Sequence, residues 1–234
     1  MQSCELLPNG LTLFQDDRYF KLGQDSVLLS AFARIPRRAR VLDLGCGTGA
    51  LSLLCWRDDL TITGLELQSE PAALFARAIE QNHLSNVSVI VGDLCDIRQH
   101  VPHGSMQYVV CNPPYFAADS GKHAARTAHG IARQDTTADL DAIVNAIAWV
   151  LPTGGQCALV FRPERLCPLL TALQQRGFTP KRLRFVHQTA TSAPSAVLVC
   201  AKRGAADGLT VEPPLLVCGA DGALSDEYRA IYHK

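Results

Sequence analysis

Residues 39–56 constrain the fold more than any other stretch. An apolar run, Ala39-Arg40-Val41-Leu42, leads into Asp43-Leu44-Gly45-Cys46-Gly47-Thr48-Gly49 and then into a helical pattern, Ala50 to Trp56. Strand, glycine turn and helix in that order build a nucleotide-type pocket at the carboxyl end of a parallel strand. The glycines let a ligand come close to the backbone, having no Cβ in the way. Three more apolar runs repeat the arrangement: Thr61 to Leu65 ends at Glu66, Val87 to Gly92 at Asp93, and Tyr108 to Cys111 at Asn112. In a parallel open sheet Asp43, Glu66, Asp93 and Asn112 then line one edge, where ligands bind.

Two cofactors suit such an edge. Glu66 stands where a carboxylate accepts bonds from both hydroxyls of a ribose, and Gly45-x-Gly47-x-x-Ala50 matches the relaxed dinucleotide fingerprint. A pyrophosphate, however, wants backbone N–H donors, and an aspartate just before the first glycine repels it. S-adenosylmethionine carries an ammonium and a sulfonium, which the same aspartate attracts. The methyl donor is therefore favoured, with Asp43, Gly45, Cys46 (through its backbone), Gly47 and Gly49 shaping the methionine pocket, Glu66 on the ribose, Asp93 on the adenine amine and Asn112 also counted among the cofactor-binding residues. Asp93 also reads as a plain turn aspartate before Leu94.

Asn112-Pro113-Pro114-Tyr115 suggests the chemistry. The Asn112 side-chain oxygen and the Pro113 carbonyl each accept a hydrogen bond from a planar NH2 group, Pro114 holds the turn, and Tyr115 stacks on the ring that carries the amine. A nitrogen that attacks a methyl cation donor gains positive charge, which acceptors fixed beforehand stabilise. The bland alternative is an ordinary turn, since Asn-Pro commonly opens one.

These motifs in this order resemble the class I S-adenosylmethionine-dependent methyltransferases that act on nitrogen. Three further segments narrow the resemblance: 20–29 (Phe20 to Leu29) before the first strand, 161–165 (Phe161-Arg162-Pro163-Glu164-Arg165), and the ending, 208–215 with 228–232. Together they are similar to the bacterial tRNA1(Val) adenine N6-methyltransferase family. The resemblance implies the adenine beside the anticodon of a valine tRNA as target, and Asp25 as a cover for the methionine end of the cofactor, although a helix N-cap accounts for Asp25 equally well. After the Asn-Pro-Pro-Tyr turn the family usually runs Ala-Arg-His-Glu, whereas this chain has Ala132-Arg133-Gln134-Asp135, a departure that bears on which RNA is bound.

The expected fold is α/β, Rossmann-like, with a seven-stranded, mostly parallel sheet, one strand reversed, and helices on both faces. Residues 1–234 are read as one domain, 1–38 as an N-terminal extension covering the cofactor site and 204–234 as a C-terminal tail packed on it. Ser69-Glu70-Pro71 reads as a helix cap and start, 139–151 as a helix stopped by Pro152, 163–175 as a helix closed by Gly177, and 181–187 and 195–201 as strands joined by a short antiparallel connection.

Net charge is zero, with 22 basic and 22 acidic side chains, which argues only weakly for RNA. The basic residues cluster at 34–40, at 122–133 and at 181–184. The middle cluster, Lys122, Arg126 and Arg133, follows Tyr115 and is expected to hold phosphates flanking an extruded base; the others read as solvated faces. Nine cysteines, an odd number without a Cys-x-x-Cys pair, read as reduced, mostly buried thiols, and the histidines show no metal spacing. The chain start lacks a signal-peptide pattern and no run is long enough for a bilayer, so a cytoplasmic enzyme is expected. Release-factor glutamine and ribosomal guanine remain alternative acceptors. An NAD-dependent oxidoreductase and a non-catalytic RNA-binding module remain alternatives of other classes.

Overall fold

The computed structural model describes residues 1–113 and 136–232. It opens with an antiparallel hairpin, β1 (Gln2–Leu6) and β2 (Thr12–Asp16), and helix α1 (Gln24–Phe32). There follow β3 (Arg40–Leu44), α2 (Ala50–Cys55), β4 (Thr61–Glu66), α3 (Ser69–Gln81), β5 (Val87–Val91), α4 (Ile97–His100), β6 (Tyr108–Cys111), α5 (Thr136–Val150), β7 (Gln156–Phe161) and α6 (Leu166–Gln175). The chain ends with β8 (Phe178–His187), β9 (Pro194–Arg203), the two-residue strands β10 (Thr210–Val211) and β11 (Leu215–Leu216), and α7 (Asp226–Tyr232).

The main sheet runs β10-β8-β9-β7-β6-β3-β4-β5, with β11 also paired to β8. Strands β3 to β7 are mutually parallel and β9 is antiparallel to both β7 and β8. The seven longer strands thus give the expected sheet with one reversed member. The two short strands from the C-terminal segment extend it beyond what the sequence indicated.

Alternation along each strand puts helices on both faces. Val41, Val110, Val160 and Leu198 enter one core with residues of α1, α2 and α3, while Leu42, Val109, Leu159 and Val199 enter a second core with residues of α4, α5 and α6. Each fully buried side chain of this kind contributes about 1.5–3 kcal/mol. A one-residue slip of β6 would exchange its faces, so the register is firmly set. Among the described residues no helix is long and apolar enough to cross a membrane.

The order of the strands fixes where a ligand can bind. From β3 the chain builds outward through β4 to β5, then crosses back to lay β6 on the other side of β3 and continues through β7. The crevice between the carboxyl ends of β3 and β6 is the topological switch point, where open α/β sheets bind ligands.

Several local readings change in the fold. Ser69 does not cap α3: the cap is Gln68, and the Ser69 hydroxyl bonds the Glu70 carboxylate next to it. Asp25 is not an N-cap either, because Gly23 occupies that position and makes no side-chain cap; Asp25 lies inside the first turn of α1, where a negative charge suits the helix dipole. The helix expected over 163–175 starts as a 3-10 turn, Pro163–Arg165, before α6 proper.

Candidate active site

Pairing puts the strand tips level with one another. Leu44 faces Leu65, Glu66 faces Val91, and Asp43 faces Val110. The next residues along these strands, Gly45 and Glu66 on one side and Asn112 on the other, therefore share the carboxyl edge at the switch point, at neighbouring-strand spacings of about 5 Å.

The glycine loop is tied to the tip of β4. Gly45 and Cys46 both donate backbone N–H to the Leu65 carbonyl, at 2.9 and 3.1 Å, and the Gly49 N–H returns to the Cys46 carbonyl at 2.9 Å. Glu66 finishes the tie: its Oε2 accepts from Gly47 N–H at 2.8 Å and its Oε1 from Gln68 N–H at 2.9 Å. Each carboxylate oxygen has a second lone pair, so Glu66 can still accept from two hydroxyls.

Gly45 and Gly47 have φ of +77° and +55°, and a Cβ on either would meet open space. Gly49 differs, since a Cβ there would lie 2.1 Å from the Phe75 ring. The first two keep the upper side of the loop clear, whereas the third lets helix α3 pack beneath it. Cys46 is buried with its sulfur against Gly64, so its contribution to the loop surface is its backbone.

Asp43 is 1% exposed and its Oδ2 accepts from the Ser52 hydroxyl at 2.7 Å. Burial pushes its carboxyl up to about 7 from an ordinary 3.8; the bonds from Ser52 oppose the rise and the nearby Glu66 charge adds to it. A cation placed over the loop would favour the ionised form.

Asp93 caps the 3-10 turn that follows β5, its Oδ1 accepting from Cys95 N–H at 2.8 Å. The turn reading of this residue is therefore realised, and it still stands at the β5 tip beside the Glu66 edge. Leu67, directly after Glu66, is 62% exposed. An apolar side chain left open at this edge offers a surface to a flat ring, and its signal in the sequence was only that an apolar residue follows the strand-end acid.

Asn112 is held by a residue the sequence reading passed over. Its Nδ2 donates to the Ser26 hydroxyl of α1 at 3.0 Å. Its Oδ1 is the one buried side-chain polar atom among the described residues that lacks a partner. An unpaired buried acceptor costs about 1–3 kcal/mol, and at a crevice it marks a place where a ligand N–H is wanted. Pro113 follows and is buried. Pro114, Tyr115, Lys122, Arg126, Arg133, Gln134 and Asp135 lie outside the described residues.

Arg34 and the cluster at 181–184 are engaged within the fold, whereas Arg37, Arg38 and Arg40 are exposed. Arg182 pairs with Glu212 at 2.7 Å, lies over the Phe32 ring and donates to the Phe32 carbonyl. Arg34 reaches the same Glu212 at 3.3 Å, Arg184 pairs with Glu227 at 2.7 Å, and Lys181 donates to the Ala206 carbonyl. Arg34, Lys181, Arg182 and Arg184 thus hold the C-terminal segment against the domain, while Arg37, Arg38 and Arg40 form the solvated face that was expected. Burial pushes up the thiols of Cys46, Cys55, Cys111 and Cys157, as expected of small buried hydrophobes.

The donor set fits S-adenosylmethionine: an open glycine loop, a buried aspartate able to face a cation, an acidic strand tip and an exposed apolar neighbour. The family described as methyltransferase small domain matches residues 23–175. A relative from Shewanella halifaxensis, called tRNA1(Val) (adenine(37)-N6)-methyltransferase, is 31% identical over 68% of this chain and 70% of its own length. One of the same name from Parabacteroides distasonis is 27% identical over 80% and 79%. Among solved structures, a predicted O-methyltransferase, Atu636 of Agrobacterium tumefaciens, superposes with a TM-score of 0.73 at 20% identity, covering 89% of this chain and 95% of that one, a likeness of fold.

Proposed function

Because the chain belongs to the methyltransferase small domain family and is similar over most of its length to tRNA1(Val) adenine N6-methyltransferases, we propose that it methylates the N6 amine of an adenine beside the anticodon of a valine tRNA. The observation that carries the choice of an NH2 acceptor is the unpartnered, buried Oδ1 of Asn112 at the switch point. Bound S-adenosylmethionine supplies an electrophilic methyl group. Asp43 faces its ammonium directly or through water, Gly45 and Gly47 with the Cys46 backbone shape the methionine pocket, Gly49 seats the glycine loop on Phe75, and Asp25 covers the methionine end. Glu66 takes the ribose and Asp93 the adenine.

Asn112 Oδ1 and the Pro113 carbonyl would accept the two N–H bonds of the target amine and so leave its lone pair free to take the methyl group that the cofactor supplies. As the nitrogen gains positive charge both contacts strengthen, and the surplus proton leaves to water afterwards. Alignment and exclusion of water supply much of the rate. Tyr115 stacks on the extruded base, Pro114 fixes the turn between them, and Lys122, Arg126 and Arg133 take flanking phosphates. We place the enzyme in the cytoplasm, where its tRNA is.

The deciding assay offers labelled S-adenosylmethionine with unmodified valine tRNA, with a release factor and with ribosomal RNA, then digests each product. Label in N6-methyladenosine of the tRNA is expected; label on glutamine, or on guanosine alone, overturns the reading. Calorimetry should show S-adenosylmethionine or S-adenosylhomocysteine binding with no comparable uptake of NAD.

Asp43 gives a pH test with a definite sign. Its folded pKa, about 7, lies above the ordinary 3.8, so between about pH 4 and pH 7 the folded state holds a proton that the unfolded state has lost. Stability of the cofactor-free protein therefore falls as pH rises through that window, by up to about 4 kcal/mol, and Asp43→Asn flattens the slope. Affinity for the cationic cofactor runs the other way, rising up to about tenfold per unit as pH approaches 7. Affinity that falls over that range would remove Asp43 as the partner of the ammonium.

A further inference from the structure

We propose that Ser26 is a positioning residue for methyl transfer: its hydroxyl anchors the Asn112 side chain so that Oδ1 stays directed at the acceptor nitrogen. This rests on the reading of Asn112 as the amine's acceptor. The Asn112 side chain turns about two bonds, so an anchor at its inner end is what keeps its outer end directed at the crevice.

The hydrogen bond from Asn112 Nδ2 to Ser26 Oγ, 3.0 Å across 86 residues of sequence, occupies the donor end. Oδ1 is thereby left buried and unpartnered among the described residues. The support is rigid. Ser26 is 5% exposed, and its neighbours Val27, Leu28 and Leu29 in α1 are at most 2% exposed. The start of α1 is also held from the C-terminal helix, where the Tyr228 hydroxyl donates to Gln24 Oε1 at 3.3 Å. The acceptor atom thus gets its direction from an element that precedes the glycine loop, and the serine itself needs no contact with substrate.

The test compares Ser26→Ala, Ser26→Cys, Asn112→Ala and the Ser26→Ala/Asn112→Ala double variant on whichever acceptor the wild-type enzyme methylates. The wild type's choice of acceptor judges the tRNA reading, and the ratios among variants judge Ser26. Ser26→Ala is expected to lower kcat about tenfold, the effect of losing one net hydrogen bond, with KM, S-adenosylhomocysteine affinity and melting temperature close to wild type. Ser26→Cys keeps the volume but accepts poorly and should lose rate to a similar degree; it carries the test if the alanine variant folds badly. In the Asn112→Ala background the Ser26 substitution should add nothing. Independently of any acceptor, the Asn112 side-chain amide protons, assigned by their absence in Asn112→Ala, should exchange with water at least tenfold faster in Ser26→Ala. Wild-type kcat in Ser26→Ala, full recovery in Ser26→Cys, an undiminished loss in the Asn112→Ala background, or unchanged amide exchange would each overturn the assignment.

Discussion

Asn112→Ala is expected to slow methyl transfer by roughly 10²-fold or more, the size of effect seen when a preorganised transition-state contact is removed. The loss should fall on kcat in single-turnover assays, with cofactor affinity nearly unchanged, because Asn112 is assigned to the amine and the cofactor's polar groups are assigned to Asp43, Glu66 and Asp93. Stability should change little. The variant loses the Nδ2 bond to Ser26 but also removes Oδ1, which is buried and unpaired, and the two terms oppose one another. Methylation at the wild-type rate would show that the amine is held elsewhere, and a main effect on cofactor affinity would move Asn112 to the other side of the site.

Gly49→Ala should damage the fold itself. The residue has φ of +83°, and an added Cβ would sit 2.1 Å from the ring of Phe75, which is fully buried. Left-handed strain of about 1–2 kcal/mol and forced repacking of about 1–3 kcal/mol sum to roughly 3 kcal/mol. For a chain of this size that lowers the melting temperature by about 10 °C. Gly45→Ala is the useful contrast, because its φ of +77° carries the strain but nothing lies within 4 Å of the added atom. It should melt only a few degrees lower while weakening S-adenosylhomocysteine binding clearly, since the methyl group would occupy the ligand's side of the loop. Equal melting of the two variants would mean that Phe75 does not pack under the loop as described.

The sequence by itself determined the central strands and the residues at their tips. The runs before Asp43, Glu66, Asp93 and Asn112 came out in β3, β4, β5 and β6, with the tips of β3, β4 and β6 level across one edge, although Asp43 lies inside β3, one residue before its end, and Asp93 two residues beyond β5. The runs of β3 and β6 are legible because both faces of the sheet are buried there, whereas the edge strand β5 is largely half-buried or exposed and shows only its β-branched residues. Capping was less legible: Ser69 and Asp25 are capping residue types displaced by one or two positions from the real helix starts, and helix boundaries depend on where the chain turns as well as on composition.

Only the tertiary structure decided how distant residues use those tips. It brought Ser26 to Asn112 across 86 residues, gave Glu66 the backbone N–H groups of Gly47 and Gln68, and set Arg34, Arg182 and Arg184 against Glu212 and Glu227 of the C-terminal segment. A serine in a helix and an arginine in a strand look the same in sequence whether they face solvent or a partner far along the chain. Their roles come from the crossover that lays β6 beside β3 under α1 and from the return of the C-terminal segment to β8. Periodicity is a local property that burial writes into the chain, whereas a single hydrogen bond between remote side chains leaves no periodic trace and exists only once the sheet has closed around it.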